Sequence, residues 1–260
     1  MNRKKLKIVK IGGEILDSQH ELEKALDSFA QLQGNKILIH GGGKEATRLS
    51  VKMGIEPQVI DGRRVTSSKD LEIVTMVYAG LINKRVVAYL QSSGCNSIGL
   101  AGVDGNSILS EKRKKINIDY GWVGDVVEVN STLINILLEQ NITPVFSAIT
   151  HDKKGNLLNT NADTVASEIA IAMSNEFDTE LLLCFDKPGL MTDISNSNSI
   201  IPKINFNIYN QYIENGIIKD GMIPKLKNGF NALENHVNRV IIGDYHIIKK
   251  NCTVFTELFI

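Results

Sequence analysis

The sequence predicts an α/β fold: a three-layer sandwich with an open, mostly parallel central sheet. Three observations predict it. Short apolar runs alternate with helical-period segments almost throughout, the pattern of a parallel sheet with helices on both faces. The first two runs end in glycines, Gly12-Gly13 and Gly41-Gly42-Gly43, the second followed at once by a helical segment. The 260 residues, 43% of them hydrophobic, suffice for one large domain or two lobes sharing a sheet.

In order, Leu6–Ile11 reads as a first strand. Ser18 caps a helix carrying Leu22, Ala25, Leu26, Phe29 and Ala30 at helical spacing, stopping at Gly34. Lys36–His40 is a strand running into the triglycine turn, and the helix beyond it reaches about Met53. Within Ile55–Thr66, the Asp61-Gly62 pair is a hairpin signal that puts Arg63 and Arg64 on the returning arm. Ser67-x-x-Asp70 resembles a capping box and opens a long helix to about Ser92, with Leu71, Val74, Tyr78, Leu81 and Ile82 on one stripe. The core is the favoured partner of that stripe.

Asn96–Leu100 is a strand, Lys112–Lys115 a solvated basic loop, and Ile116–Val129 a second hairpin around Gly121 and Gly124. Leu133–Leu138 is helical and Thr143–Ile149 a strand. Asn159-Thr160-Asn161-Ala162-Asp163 leads into a small-residue helix, Thr164–Ser174. The apolar strand Thr179–Phe185 leaves through Asp186-Lys187-Pro188-Gly189, and the polar stretch Ser195–Ser199 reads as a mobile loop. Phe206–Glu214 is a helix ended by Gly216. Asp220–Lys225 opens another, with Pro224 at an early helical position. Arg239–Ile242 and Thr253–Leu258 close the sheet.

Composition excludes several functions. Lys plus Arg equals Asp plus Glu at 29 each, so no net field favours nucleic acid or a membrane surface as partner. The basic start is followed only by Ile8, Val9 and Ile11, too short for a signal-peptide core, and nothing approaches the length of a transmembrane span. Three scattered cysteines, Cys95, Cys184 and Cys252, suit a reducing, cytoplasmic setting. The five histidines include no metal-binding spacing, so no protein-bound metal is expected.

The chemistry concentrates at the glycine turns. Ligands of parallel sheets bind beyond the strand carboxyl ends, and a helix starting there offers unpaired N–H groups to an anion. Neither G-x-x-x-x-G-K-[ST] nor G-x-G-x-x-G after a strand is present, so a phosphate would be held differently. Lys10, Lys44 and Lys225 each lie beside glycine or close to it. No Ser-His-Asp or Cys-His set occurs, and His40 at a strand end is better read as structural. The missing general base is informative. A carboxylate nucleophile, which ordinarily loses its proton near pH ~4, is already ionised at pH 7 and needs none. Phosphoryl transfer to it asks for positioning and charge neutralisation, which lysines and glycine N–H groups supply.

As a set these motifs resemble the amino acid kinase family, over essentially the whole chain. Lys10-Ile11-Gly12-Gly13, His40-Gly41-Gly42-Gly43, Gly62-Arg63-Arg64-Val65-Thr66, Asn159-Thr160-Asn161-Ala162-Asp163 and Gly221-Met222-Ile223-Pro224-Lys225 occur in family order. Tyr120-Gly121-Trp122-Val123-Gly124-Asp125-Val126 resembles a hairpin of the members acting on N-acylated glutamate. The resemblance implies ATP-dependent phosphorylation of the γ-carboxylate of N-acetyl-L-glutamate in arginine biosynthesis, by a homodimer, with Mg²⁺ held mainly through ATP. It implies an N-terminal lobe, 1–175, for the acyl amino acid and dimerisation, and a C-terminal lobe, 176–260, for ATP.

Residue by residue, it implies Lys10 and Lys225 around the transferring phosphoryl group, held by Asp163, with Gly12 and Gly13 donating to phosphates. Gly41 and Gly42 would bind the γ-carboxylate end, Arg64 the α-carboxylate and Asn159 the acylamino side. Asp186, Gly189, Leu190, Met191, Gly221 and Met222 would surround adenine and ribose. Adjacent residues on a strand point opposite ways, so only one of the two arginines faces the ligand; Arg64 is chosen by its place before Val65-Thr66, leaving Arg63 as a solvated neighbour. Three departures stand out: Glu14 after Gly12-Gly13, Lys44 after the triglycine, and Phe185-Asp186-Lys187-Pro188 in the nucleotide loop. They leave N-succinyl-L-glutamate open as substrate, Lys44 being one cation for the added carboxylate. The start directly at the first strand, without the extra N-terminal helix of arginine-sensitive members, implies arginine insensitivity. Free glutamate or aspartate as substrate, or a non-catalytic nucleotide or anion sensor, are the alternatives.

Overall fold

The computed structural model of the chain describes residues 3–60, 63–193, 195, 196, 199–219 and 221–260. Strand β1 (Lys4–Ile11) leads through a short helix α1 (Glu14–Asp17) into α2 (Gln19–Ala30) and β2 (Asn35–His40). Ser18 caps α2 as expected, its hydroxyl accepting from Glu21 N. The far end of α2 is closed by Lys36, whose Nζ donates to the carbonyls of Phe29, Ala30 and Leu32 at 3.0, 2.7 and 2.8 Å. An ammonium there satisfies carbonyls that the helix leaves unpaired and complements its dipole.

After β2 come α3 (Gly43–Lys52), β3 (Val59–Ile60) and β4 (Arg63–Arg64). The short strands pair antiparallel, Val59 with Arg64 and Ile60 with Arg63. The Asp61-Gly62 turn between them lies outside the described residues. Ser67 and Asp70 form the expected capping box, opening one long helix: α4 (Ser68–Thr75), a π-helical stretch Met76–Ile82, and α5 (Asn83–Ser92). This helix of 25 residues contains an 18-residue window of mean hydropathy 1.3, long and apolar enough on those two counts to cross a membrane, contrary to the sequence expectation. Here Val74, Val77, Val86 and Leu90 are buried inside the protein.

Next follow β5 (Ser97–Leu100), β6 (Ile108–Lys112), β7 (Val123–Val129), α6 (Ser131–Glu139), β8 (Thr143–Ser147), β9 (Ile149–His151), β10 (Leu157–Thr160) and α7 (Ala162–Met173). The second hairpin is therefore displaced from Ile116–Val129. Its arms are β6 and β7, and Ile116, 87% exposed, belongs to the connection. The physical reason is burial: Ile108 and Ser110 of β6 are buried, whereas residues 114–117 are exposed. The single strand expected over Thr143–Ile149 is two, because the chain leaves the large sheet after Ser147. Strands β6, β7, β9 and β10 close on one another as a separate four-stranded unit.

The last stretch runs β11 (Phe177–Cys184), β12 (Lys203–Ile204), α8 (Phe206–Glu214), α9 (Met222–Glu234), β13 (Arg239–Gly243) and β14 (Thr256–Leu258). The main sheet has the order β12-β14-β13-β11-β1-β2-β8-β5 among the described residues. Every pairing is parallel except β13 with β14. Helices α2 and α5 pack together on one face; α7, flanked by α6 and α9, covers β11, β1 and β2 on the other. That division follows from right-handed crossovers running outward from β1 in both directions. Covered on both sides, β1 buries Leu6, Ile8, Val9 and Ile11 completely.

Candidate active site

The carboxyl ends of β1, β2, β8 and β10 open onto a cleft of about 390 Å³. Its floor is a buried charge cluster. Asp163, in the first turn of α7, receives Lys10 Nζ of β1 at 2.9 Å and Lys225 Nζ of α9 at 2.8 Å, both on Oδ1. All three residues are buried. Asn161, not Asp163, caps α7, accepting from the N–H groups of Asp163 and Thr164. The aspartate is thus left to the lysines. Burial pushes the Asp163 carboxyl up, but the charges of Lys10 and Lys225 and their hydrogen bonds outweigh it and hold it well below the usual carboxylate range. Burial, aided by Lys10, pulls Lys225 below the usual lysine range against the pull of Asp163. Beside them, burial pushes the Cys184 thiol up to about 12 despite both lysines, so it stays protonated and inert.

Two glycine turns form one wall. A Cβ on Gly12 would sit 2.5 Å from Lys10 Nζ, so glycine leaves that ammonium its room. At Gly42, φ is +153° and a Cβ would meet Ile82 Cδ1 at 2.5 Å and Tyr78 Cδ1 at 2.8 Å. Both partners come from the π-helical stretch, a distortion often found at functional sites. Just before this turn His40 is fully buried, its Nδ1 2.9 Å from Gly41 O and its Nε2 3.1 Å from Asn83 Nδ2. Burial, partly offset by the Gly41 contact, lowers its pKa to about 4. It is neutral at pH 7, with both ring nitrogens occupied, which leaves it a structural part.

The opposite wall carries Arg64 and Asn159. Arg64 Nη2 donates to Gly43 O at 3.0 Å and to Thr47 Oγ1, while Nη1 lies 3.9 Å from Asp70 Oδ1 without a hydrogen bond. Asn159 Nδ2 donates to Thr66 Oγ1 at 3.0 Å. Tyr120–Trp122 ties these strands together: Thr66 N donates to Tyr120 O, Trp122 N to Thr66 O, and Asn159 N to Trp122 O. This explains the Tyr120–Val126 motif in physical terms. It holds β4 against β10, and hence Arg64 beside Asn159.

The structure therefore brings Lys10, Gly12, Gly13, Gly41, Gly42, Arg64, Asn159 and Asp163 to one cleft, with Lys225 joined through Asp163. Asp186, Gly189, Leu190, Met191, Gly221 and Met222 line no part of it. Gly189 and Leu190 are buried against Thr256, which accepts from Leu190 N at 2.7 Å. Met191 pairs with Ile200, and Gly221 is exposed just before α9. Lys44 lines the cleft mouth but is engaged, 3.4 Å from Glu14 and 3.3 Å from Asp17. The departures at Glu14 and Lys44 are thus two halves of one ion pair. Arg63, expected to be solvated, is half-buried and lines the cleft. A two-residue strand does not keep the strict alternation that placed it outside.

The signature of the amino acid kinase family matches residues 5–244. This chain belongs to the amino acid kinase family. An acetylglutamate kinase of Cytophaga hutchinsonii is 50% identical over 259 residues, covering 98% of both chains. One of Parabacteroides distasonis is 47% identical over 238 residues, 92% of this chain and 93% of its own. Among solved structures, the protein smu.665 of Streptococcus mutans UA159 superposes with a TM-score of 0.79 at 25% identity, covering 96% of this chain and 98% of that one.

Proposed function

We propose that this family member is an ATP-dependent kinase acting on the γ-carboxylate of an N-acyl-L-glutamate, named in its relatives as N-acetyl-L-glutamate, in arginine biosynthesis. The observation that carries the reading is the buried Lys10–Asp163–Lys225 cluster, set between a glycine turn and a cleft that also holds Arg64 and Asn159. ATP supplies the γ-phosphoryl group. The residues fit a polyphosphate: the Gly12-Gly13 turn leaves open backbone beside an ammonium, where a side chain on Gly12 would collide. Mg²⁺ is assigned to the ATP phosphates, as this ion usually keeps most of its ligands there.

Lys10 and Lys225 neutralise the oxygens of the group in transfer, and Asp163 keeps both ammonium groups in place before substrate arrives. Such preorganised charge is the main contribution a protein makes to phosphoryl transfer. Gly12 and Gly13 donate backbone N–H groups to phosphate. Gly41 and Gly42, at the start of α3, hold the γ-carboxylate in line. Arg64 offers its unpartnered Nη1 to the α-carboxylate, where a forked contact fixes orientation, and Asn159 takes the acylamino group. No base is required of His40, since the nucleophile is already ionised.

Asp186, Gly189, Leu190, Met191, Gly221 and Met222 are assigned to the nucleoside end, within a C-terminal ATP lobe, 176–260, facing an acyl-amino-acid lobe, 1–175. A cytoplasmic homodimer completes the reading. Exposed Met76 and Leu81 on the long helix, with Ile98 on edge strand β5, offer it an apolar face. The test is hydroxylamine trapping of the acyl phosphate with ATP, Mg²⁺ and, separately, N-acylated glutamates, glutamate and aspartate. Turnover of an N-acyl substrate supports the proposal. Turnover of a free amino acid alone, or nucleotide binding without turnover, refutes it.

A further inference from the structure

The cleft holds a cation that the transfer chemistry does not use. Arg63 and Arg64 are neighbours on β4 and both line it, yet their surroundings differ. Arg64 is tied to Gly43 and Thr47 and faces Asp70. Arg63 pairs through its backbone with Ile60, but its half-buried side chain makes no hydrogen bond or ion pair with any described residue. The carboxylate that attracts it, Asp125, is already gripped by Arg113, whose Nε lies 3.1 Å from both carboxylate oxygens. Burial and repulsion from Arg113 accordingly pull the Arg63 pKa down. A guanidinium taken partly out of water and left unpaired is unfavourable unless a ligand brings the missing charge.

Accepting the kinase reading, on which this inference rests, the ligand's charges are otherwise accounted for. The γ-carboxylate and phosphates go to the glycine turns and lysines, and the α-carboxylate to Arg64. An acetyl group ends in a methyl, which offers a guanidinium nothing. Replacing that methyl by –CH₂–CH₂–COO⁻ puts apolar carbons where Val59 and Val123 line the cleft and a carboxylate within the fork-shaped geometry arginine favours. Lys44 is the competing cation, but it is paired with Glu14 and Asp17 and its side chain is 57% exposed. We propose that Arg63 reads the far end of the acyl group, so that the preferred substrate is an N-acyl-L-glutamate whose acyl chain ends in a carboxylate, of the N-succinyl type.

The experiment compares kcat/KM for N-acetyl- and N-succinyl-L-glutamate in the wild type, Arg63→Leu, Arg63→Lys and Lys44→Ala. The wild type is expected to favour N-succinyl-L-glutamate. Arg63→Leu shifts the ratio toward N-acetyl-L-glutamate by on the order of 100-fold, the scale for removing one partner of a shielded charge pair. Arg63→Lys keeps part of the preference, and Lys44→Ala leaves the ratio in place. A wild type that favours N-acetyl-L-glutamate overturns the inference while leaving the kinase reading intact. So does a ratio that follows Lys44, or an Arg63→Leu variant that loses both substrates equally. A wild type that phosphorylates neither overturns the kinase reading itself.

Discussion

Two ion clusters built from the same chemistry border one cleft. In the first, Asp163 holds Lys10 and Lys225 at 2.9 and 2.8 Å, with side chains only 9 to 11% exposed. In the second, Lys44 meets Glu14 and Asp17 at 3.4 and 3.3 Å and Arg48 lies 3.5 Å from Asp17, with Glu14, Lys44 and Arg48 more than half exposed. Exposed pairs of this kind contribute about 0–1 kcal/mol, because water and salt screen them. The buried set keeps its field, and removing one member strands the others. The difference teaches that burial, set here by β1, α7 and α9 meeting at one corner, decides which charges can act on a reacting group.

The sharpest way to break the comparison is Asp163→Asn. It leaves two buried ammonium groups facing a neutral amide, so stability should fall by about 3–5 kcal/mol at pH 7 in urea unfolding. The folded pKa of Asp163 is depressed, so its contribution is full above the unfolded value of about 3.9 and declines as pH falls below it. The gap between wild type and variant should therefore narrow below about pH 4. Arg64→Lys should come next: the fork is lost but the charge is kept, raising KM for the acyl amino acid roughly 10- to 100-fold with kcat much less affected.

His40 supplies a pH test on the same wall. Its pKa falls from 6.5 to about 4 on folding, so the unfolded chain takes up the proton first. Stability is unaffected above pH 6.5 and should drop by on the order of 3 kcal/mol as pH falls from 6.5 to 4. A His40→Gln variant should lack that slope. The smallest effect belongs to the exposed cluster: Lys44→Ala should change stability by less than about 1 kcal/mol, and added salt should reduce even that.

Much of the fold is legible in the sequence, for reasons that differ by region. The capping signals at Ser18 and Ser67-x-x-Asp70, and the parallel strands before glycine turns, are local patterns, and the structure carries them as read. Strand β6 escapes the sequence because the basic run after Ser110 masks its end, and Thr143–Ile149 reads as one strand because nothing in it marks a change of sheet. The candidate site is legible where its residues sit in motifs, and Arg63 is the exception: strict alternation puts it outside, and a two-residue strand does not obey that rule. No local signal corrects this, since the groups that act on it, Arg113, Asp125 and Tyr120, lie some fifty or more residues further along the chain. The pairing of Glu14 with Lys44 is hidden for the same reason: each stands out singly, but a separation of 30 positions conceals the contact.

The most direct test of the account is kcat of Lys10→Met beside Lys44→Met, measured by acyl phosphate trapping with saturating ATP and acyl amino acid. Both changes remove one ammonium from the same cleft. The account predicts a loss of about 10²- to 10³-fold for Lys10→Met, the scale for removing one preorganised charge from a shielded site, and a change within about threefold for Lys44→Met. Similar losses from the two would contradict it, because burial would then not be what separates the acting cluster from the solvated one.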